Sequence, residues 1–338
     1  MNNFLKILKD KSHILADGAT GTNLFQMGLE TGDPPEPWNI NHNDRIRSLH
    51  QGFVDAGSDL FLTNSFGGTS FRLKLHNLES RVFELNKAAA VIAREVSDQA
   101  DRLVIVAGSM GPTGEMIEPH GLMTSKEATD AFKAQAEGLA EGGVDVLWLE
   151  TMYAIEELEA AMEAVKDFGL PVCATMSFDT AGKTMMGVTP TNLAKKSKDL
   201  NLNGFGANCG IGAPDLLATI NDISKNVDSS TVVISKANCG IPEFVDGIIK
   251  YSGTEELMSE YVQIAMNSGA KIIGGCCGTT FEHVRAMRNA MDTHKVSKPP
   301  TLNEIEEKVG TMSEGSISIF NGDDSKPIKQ RRRRRLRV

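Results

Sequence analysis

The chain has 338 residues, of which 41% are hydrophobic and 23% charged. These fractions are ordinary for a folded protein with a sizeable core, and the length predicts one large domain or two small ones. No apolar run approaches the roughly 18 residues of a membrane span, and the N-terminus lacks the features of a signal peptide. We therefore expect a cytosolic protein that does not contact membranes.

The charge is unevenly distributed. The formal net charge is −9, yet the last eight residues contain six arginines, Arg331–Arg335 and Arg337. Subtracting those six positive charges leaves −15 for the rest of the chain, which argues against nucleic acid as the main partner. The arginine block itself is typical of a solvated, disordered end. A subunit contact or a weak polyanion contact is the alternative, so a homo-oligomer stays open.

Short apolar runs alternate with longer stretches of helical period up to about residue 294. The predicted strands are His13–Asp17, Asp59–Asn64, Leu103–Ser109, Asp145–Glu150, Val172–Ser177, Gly204–Asn208, Thr231–Lys236 and Lys271–Gly275. The predicted helices are Asp44–Ala56, Glu79–Ser97, Ser125–Glu141, Ile155–Phe168, Thr191–Leu200, Pro214–Lys225, Thr254–Asn267 and Phe281–Met291.

Eight strand–helix units of this size are typical of a closed parallel barrel, which needs about 250 residues. A doubly wound open sheet is the alternative, but a glycine-rich phosphate-binding fingerprint should then follow the first strand. The segment Asp17–Asn23 lacks the G-x-G-x-x-G spacing. We therefore predict an α/β fold with a (β/α)₈ TIM barrel over residues 1–294 and a C-terminal arm over residues 295–338, ending in the basic tail.

The cysteines fall at unusual positions. Cytosolic cysteines are more often free thiols or metal ligands than disulfides. Four of the five follow predicted strands, at the end of a barrel where reactive groups collect, and these are Cys209, Cys239, Cys276 and Cys277. Cys173 lies within the fifth predicted strand and is interpreted as a core residue. Any single cysteine here could equally be a small buried hydrophobe.

Three of these cysteines form a candidate zinc site. Cys276 and Cys277, within Gly-Gly-Cys-Cys-Gly, can join Cys209 to give three thiolates, which leaves one corner of a tetrahedral Zn²⁺ open. The flanking glycines let the backbone aim both sulfurs inward. Cys239 could join or replace the trio. Its neighbour Asn238 could equally project its amide oxygen into the barrel mouth.

Six segments at strand ends resemble a known family. They are Asp17–Thr22, Asn64–Gly67, Gly111–Thr113, Leu149–Thr151, Gly206–Cys209 and Gly274–Gly278. In this order they resemble the homocysteine S-methyltransferase domain, found in betaine–homocysteine methyltransferases, S-methylmethionine-dependent enzymes and the first module of cobalamin-dependent methionine synthase. The resemblance covers residues 12 to about 292. It implies that Cys209, Cys276 and Cys277 bind zinc. Some members of that family fill the fourth zinc position with a nearby Asn or Tyr when substrate is absent, which makes Asn238 the candidate fourth ligand.

The resemblance also implies a substrate site. Glu150, with Asp17 nearby, would hold the amino group of homocysteine, and Gly18 and Asn64 would belong to the same site. A thiol with a pKa near 8.5 is mostly protonated at neutral pH, whereas coordination to zinc deprotonates it. From the residues alone, Glu150 could instead pair with a lysine at the barrel rim, and Asp17 could cap a turn.

The choice of methyl donor depends on the aromatic residues near the barrel mouth. Aromatic rings hold quaternary ammonium groups, and Trp38 lies in the loop after the first strand, as in the betaine-specific relatives. Those relatives carry tyrosines where this chain has Gly67 and Thr151, although Phe66 and Tyr153 could compensate. Trp38 could instead anchor its own proline-rich loop. Glycine betaine is the first choice; S-methylmethionine, dimethylsulfoniopropionate and a methylcorrinoid or methyltetrahydrofolate system are the alternatives.

Two other classes of protein are alternatives. A metal- or polyanion-binding protein without catalysis would use the cysteines for storage and the arginine-rich end for docking. An aldolase-type barrel is disfavoured, because we expect neither a lysine nor a set of histidine and carboxylate ligands at the predicted strand ends.

Overall fold

The structure, a computed structural model, describes residues 2–245 and 248–323, and describes side chains outside 243–250. Eight parallel strands form one sheet. A bridge between Ala16 and Leu60 joins the two outer strands. This arrangement confirms the predicted (β/α)₈ TIM barrel. The strands are β1 (Ile14–Leu15), β2 (Leu60–Leu62), β3 (Ile105–Met110), β4 (Val146–Met152), β5 (Val172–Met176), β6 (Gly204–Cys209), β7 (Val233–Ala237) and β10 (Ile272–Gly275). Their spatial order in the sheet is β1-β10-β7-β6-β5-β4-β3-β2.

The helices surround this barrel. They are α1 (Asn3–Asp10), α2 (Gly21–Gln26), α3 (Trp38–Asn41), α4 (Asn43–Asp55), α5 (Ser70–Lys74), α6 (Val82–Gln99), α7 (Ser125–Glu141), α8 (Ile155–Val165), α9 (Pro190–Asp199), α10 (Ala213–Lys225), α11 (Glu255–Asn267), α12 (Phe281–Thr293), α13 (Leu302–Val309) and α14 (Glu314–Phe320), with a 3₁₀ turn at Glu79–Arg81. Each predicted helix is present, with ends shifted by a few residues. Thr124 and Thr189 begin two of them with capping boxes, which satisfy backbone groups that the helix itself leaves unpaired.

The barrel interior forms a hydrophobic core of its own. Phe4 and Ile7 of the N-terminal helix α1 pack in it together with Trp148 of β4 and Cys173 of β5. The core position of Cys173 is therefore confirmed. Helix α1 was not predicted. The Asn2 side chain accepts a hydrogen bond from the Phe4 amide at 2.8 Å, which is a common way to begin a helix.

Two further segments lie outside the strand–helix repeat, a hairpin within the barrel and an arm after it. A hairpin of β8 (Pro242–Val245) and β9 (Ile248–Tyr251) follows β7. The C-terminal arm contains α13 and α14, which contact α10 and α11. Ser313 of the arm donates a hydrogen bond to Asp215 of α10 at 2.5 Å. The arginine-rich end lies outside the described residues. Among the helices described, none combines the length and apolarity needed to cross a bilayer.

Candidate functional site

Three cysteine sulfurs converge at the carboxyl ends of the barrel strands. The Sγ atoms of Cys209, Cys276 and Cys277 all lie within 4.8 Å of one another, and they form the one such group of potential metal ligands in the described part of the chain. Cys209 ends β6, whereas the pair follows β10 directly. A tetrahedral zinc ion with Zn–S bonds of about 2.3 Å needs sulfurs about 3.8 Å apart. Small side-chain movements would reach that spacing, so the donor set fits zinc.

Hydrogen bonds also connect the three sulfurs. Hydrogen bonds from the thiols of Cys209 and Cys276 lower the pKa of Cys277, although burial acts in the opposite direction. The phenol of Tyr251 adds a further hydrogen bond to the Cys277 sulfur. Cys277 is thus the cysteine that carries negative charge, whereas the hydrogen bonds that Cys209 makes with the other two sulfurs raise the pKa of its own thiol. Tyr251, which no sequence argument indicated, reaches this position because the β8–β9 hairpin returns the chain to the cysteines.

A buried lysine lies at the same end of the barrel. Lys236 Nζ is 2.5 Å from Asp17 Oδ1, and each side chain is only 2% exposed. Burial opposes the charge on Lys236, but the carboxylates of Asp17 and Glu150 outweigh it and raise the lysine pKa. The expectation that no lysine stands at a predicted strand end was therefore wrong. Lys236 ends the seventh predicted strand, but the sequence could not indicate its role, because its partner Asp17 is remote in sequence.

The carboxylate of Asp17 has two partners among the described residues. Besides Lys236, it accepts a hydrogen bond from the Leu62 amide at 2.8 Å through Oδ2. Its own carbonyl accepts from the Gly275 amide at 2.9 Å. Asp17 thereby links β1 to β2 and to the strand that leads into the cysteine pair.

Glu150 lies on β4, where it is mostly buried. Its Oε1 accepts a hydrogen bond from the hydroxyl of Ser109, whereas Oε2 receives none from the described residues. Burial raises the pKa of Glu150 to about 7, and the charge on Cys276 acts in the same direction while Lys236 opposes it. A carboxylate in this position is well suited to a cationic ligand, because such a ligand would offset the desolvation of its charge.

Asn238 uses both ends of its side chain within the protein. Its Nδ2 donates to the Gly210 carbonyl at 2.9 Å, and its Oδ1 accepts from the Cys277 amide at 3.1 Å. In this arrangement it braces the cysteine loop and does not present a free oxygen to a metal. Cys239 is fully buried, and burial raises the pKa of its thiol to about 12. Its sulfur packs against Gly253.

The loop after β1 is fastened by polar side chains. Asn64 Nδ2 donates to the Pro35 carbonyl at 2.8 Å and to Asn39 Oδ1 at 3.0 Å, so its amide holds this loop. Trp38 is buried in the outer core at 8% exposure, and the guanidinium of Arg45 lies 4.9 Å from its ring centre. The indole therefore anchors its loop, and its placement does not support a role in binding the donor.

Gly18, Phe66 and Gly67 lie around the same loops. A Cβ on Gly18 would lie 2.6 Å from the Thr279 carbonyl, so the glycine allows the cysteine loop to approach β1. Phe66 is 36% exposed and lies against Gly111. The Gly67 amide donates to Glu36 Oε1 at 2.7 Å. A Cβ at position 67 would be 2.9 Å from that oxygen, so the buried Glu36 explains why no larger side chain occupies this position.

A family model described as homocysteine S-methyltransferase matches residues 14–291. The chain belongs to this family. Solved structures of the homocysteine methyltransferase MmuM from Escherichia coli share the fold of this family member. The metallated form has 20% identity and a TM-score of 0.72, covering 85% of this chain and 99% of that one. The oxidized form has 21% identity and a TM-score of 0.72, covering 86% and 99%.

A more distant likeness gives the same fold. A methyltransferase from Methanosarcina mazei has 12% identity and a TM-score of 0.57, covering 86% of this homocysteine S-methyltransferase family member and 97% of that chain. The family resemblance predicted from the sequence is thus confirmed, and methyl transfer to homocysteine is the chemistry that the family supports.

Proposed function

We propose that this enzyme methylates homocysteine at a zinc ion held by Cys209, Cys276 and Cys277, with glycine betaine as the methyl donor. The observation that carries the proposal is the convergence of three sulfurs within 4.8 Å beside the Glu150 carboxylate. When bound, zinc would supply a Lewis acid that keeps the homocysteine sulfur in its nucleophilic thiolate form.

The chain's own residues would orient homocysteine. Glu150 is the carboxylate best placed for the substrate ammonium, because Ser109 holds only one of its oxygens. Asp17 already pairs with Lys236, so we assign it a supporting part at the same site. Holding the amino group at Glu150 and the sulfur near the cysteines would align homocysteine for attack, and such positioning can contribute several kcal/mol.

The reaction balances without a further reactant. The homocysteine thiol releases its proton to solvent, and the sulfur forms a bond to a methyl carbon of the donor. The bond between that carbon and the donor nitrogen breaks, and the nitrogen keeps the electron pair. With glycine betaine the products are methionine and dimethylglycine.

The charges favour an onium donor. Three thiolates and two carboxylates outnumber the positive charges of one zinc ion and Lys236, so the site remains anionic and attracts a cation. Phe66, which is 36% exposed, offers a ring for cation–π contact. S-methylmethionine and dimethylsulfoniopropionate carry the same kind of charge. A methylcorrinoid or methyltetrahydrofolate system, whose methyl group is not on an onium centre, is the alternative.

The location in the cytosol and assembly into a homo-oligomer stay predictions from the sequence.

The test is methionine formation by the zinc-loaded protein from homocysteine and one donor at a time. Glycine betaine should give methionine and dimethylglycine in equal amounts. Turnover with a methylcorrinoid or a sulfonium donor, and none with glycine betaine, would overturn the choice of donor. Tight zinc binding without transfer from any of these donors would instead favour a metal-storage protein.

A further inference from the structure

One carboxamide contacts both halves of the candidate site. Asn208 lies on β6 and is fully buried. Its Oδ1 accepts a hydrogen bond from the Thr151 amide at 2.9 Å, and its Nδ2 donates to Thr151 Oγ1 at 2.7 Å. The same Nδ2 is 3.5 Å from the sulfur of Cys209 and 3.8 Å from that of Cys276. Asn208 therefore joins the end of β4 to two of the three cysteines.

Thr151 needs such a partner because its backbone is unusual. Its φ is +61°, in the left-handed region that β-branched residues rarely adopt. A conformation of this kind persists only when surrounding contacts hold it. Asn208 supplies two of these contacts across β5, which separates β4 from β6 in the sheet. Since Glu150 precedes Thr151 directly, this backbone also determines where the Glu150 carboxylate lies.

The contacts with sulfur have a separate consequence. An N–H that points towards thiolates stabilises their negative charge, and hydrogen bonds of this kind behind metal ligands orient the ligands and tune their affinity. The Cys209 backbone is itself left-handed, with a φ of +56°. The side-chain amide of Asn208 thus contacts both the backbone that directs Glu150 and the sulfurs of Cys209 and Cys276.

We propose that Asn208 is a positioning residue that fixes the distance and direction between the substrate carboxylate Glu150 and the zinc thiolates of Cys209 and Cys276. The inference rests on the proposed function, because it assigns zinc to the sulfurs and the homocysteine ammonium to Glu150. It goes further in giving one side chain control over both binding events.

Two variants separate these contacts. In N208D the carboxylate still accepts from the Thr151 amide, and the Thr151 hydroxyl can reverse and donate to it. Only the N–H that faces the sulfurs is lost, and a negative charge replaces it. T151G loses the hydroxyl that Asn208 contacts and gives the backbone at position 151 more conformational freedom, while the Asn208 amide still faces Cys209 and Cys276.

The measurements are zinc affinity by chelator competition, the visible spectrum of the cobalt-substituted protein and the Kd for homocysteine by calorimetry. N208D should bind zinc about 10- to 100-fold more weakly and should shift the cobalt–thiolate bands. T151G should bind zinc as the wild type does but bind homocysteine more weakly, since Glu150 loses its fixed direction. Circular dichroism establishes that each variant is folded.

Wild-type zinc affinity and cobalt bands in folded N208D would overturn the role of Asn208. The role of Asn208 would also be overturned if T151G weakened zinc and homocysteine binding together, or left both unchanged. This test with T151G can be made even if N208D does not fold. A wild-type protein that binds neither zinc nor homocysteine would refute the proposed function itself. The wild-type measurements therefore distinguish the two failures.

Discussion

Lys236 and Asp17 are 219 positions apart in the sequence, yet they form an ion pair of 2.5 Å in which each side chain is only 2% exposed. Closure of the barrel brings β1 and β7 to either side of β10 and makes this contact. A buried pair of this kind adds little net stability compared with apolar side chains, but loss of one partner leaves an uncompensated charge.

Replacing Lys236 with methionine should therefore destabilise the protein. We expect K236M to lower the free energy of unfolding by about 3 kcal/mol, because Asp17 remains buried without its cation. The double variant D17N/K236M should recover most of that loss, since asparagine can still accept from the Leu62 amide. Urea unfolding of the four proteins in the cycle measures this coupling. Equal stabilities of K236M and the double variant would contradict it.

Zinc should depend on the trio of cysteines and on no other cysteine. C276A should lose bound zinc and methyl transfer together, because two thiolates hold the ion poorly. C239A is the matched control. Its sulfur is fully buried and packs against Gly253, so this variant should keep its zinc. Metal analysis of the purified proteins provides the measurement, and full turnover by zinc-free C276A would refute the scheme.

Glu150 should affect homocysteine and not zinc. In E150Q the side chain keeps its hydrogen bond with Ser109 but loses the charge that faces the substrate ammonium. A hydrogen bond to a charged group contributes about 1.5–3 kcal/mol, so the KM for homocysteine should rise by roughly 10- to 100-fold. Zinc content should not change. An unaltered KM would remove Glu150 from the substrate site.

Gly278 should be required for the packing of Tyr251. It has a φ of +79°, and a Cβ there would lie 2.4 Å from Tyr251. Gly169 is the control, because its φ is +66° with no heavy atom within 4 Å. We expect G169A to cost about 1–2 kcal/mol through backbone strain alone, whereas G278A should cost more and should weaken zinc binding. Urea unfolding and chelator competition test both, and equal effects of the two variants would argue against the contact.

His50 should make stability depend on pH. Burial lowers its pKa from 6.5 to about 3, so the unfolded chain takes up this proton at a higher pH than the folded protein does. Stability is then complete above pH 6.5 and falls as the pH drops towards 3, by about 2 kcal/mol at pH 5. H50L should remove that part of the pH dependence, and H76A, at an exposed position, should retain it. Urea unfolding at several pH values measures this dependence. The prediction would be contradicted if the free energy of unfolding of H50L changed with pH as steeply as that of the wild type.

The sequence by itself determined the architecture and the sulfur cluster. Hydrophobic periodicity is a local property, and eight strand–helix units can close in few ways, so all eight barrel strands were predicted. Cys209, Cys276 and Cys277 could be identified because the ends of parallel strands meet at one mouth. The resemblance to a family rested on motifs at the same strand ends.

Only the tertiary structure decided which polar groups pair at that mouth. Three of these pairings join residues that are remote along the chain: Asp17 with Lys236, Asn208 with Thr151, and Tyr251 with Cys277. Their pairing depends on barrel closure and on how the β8–β9 hairpin returns, which no periodicity in the sequence encodes. The buried Glu36 beside Gly67 and the Arg45 cation over Trp38 belong to the same class, because side-chain direction in a loop is set by its neighbours in space.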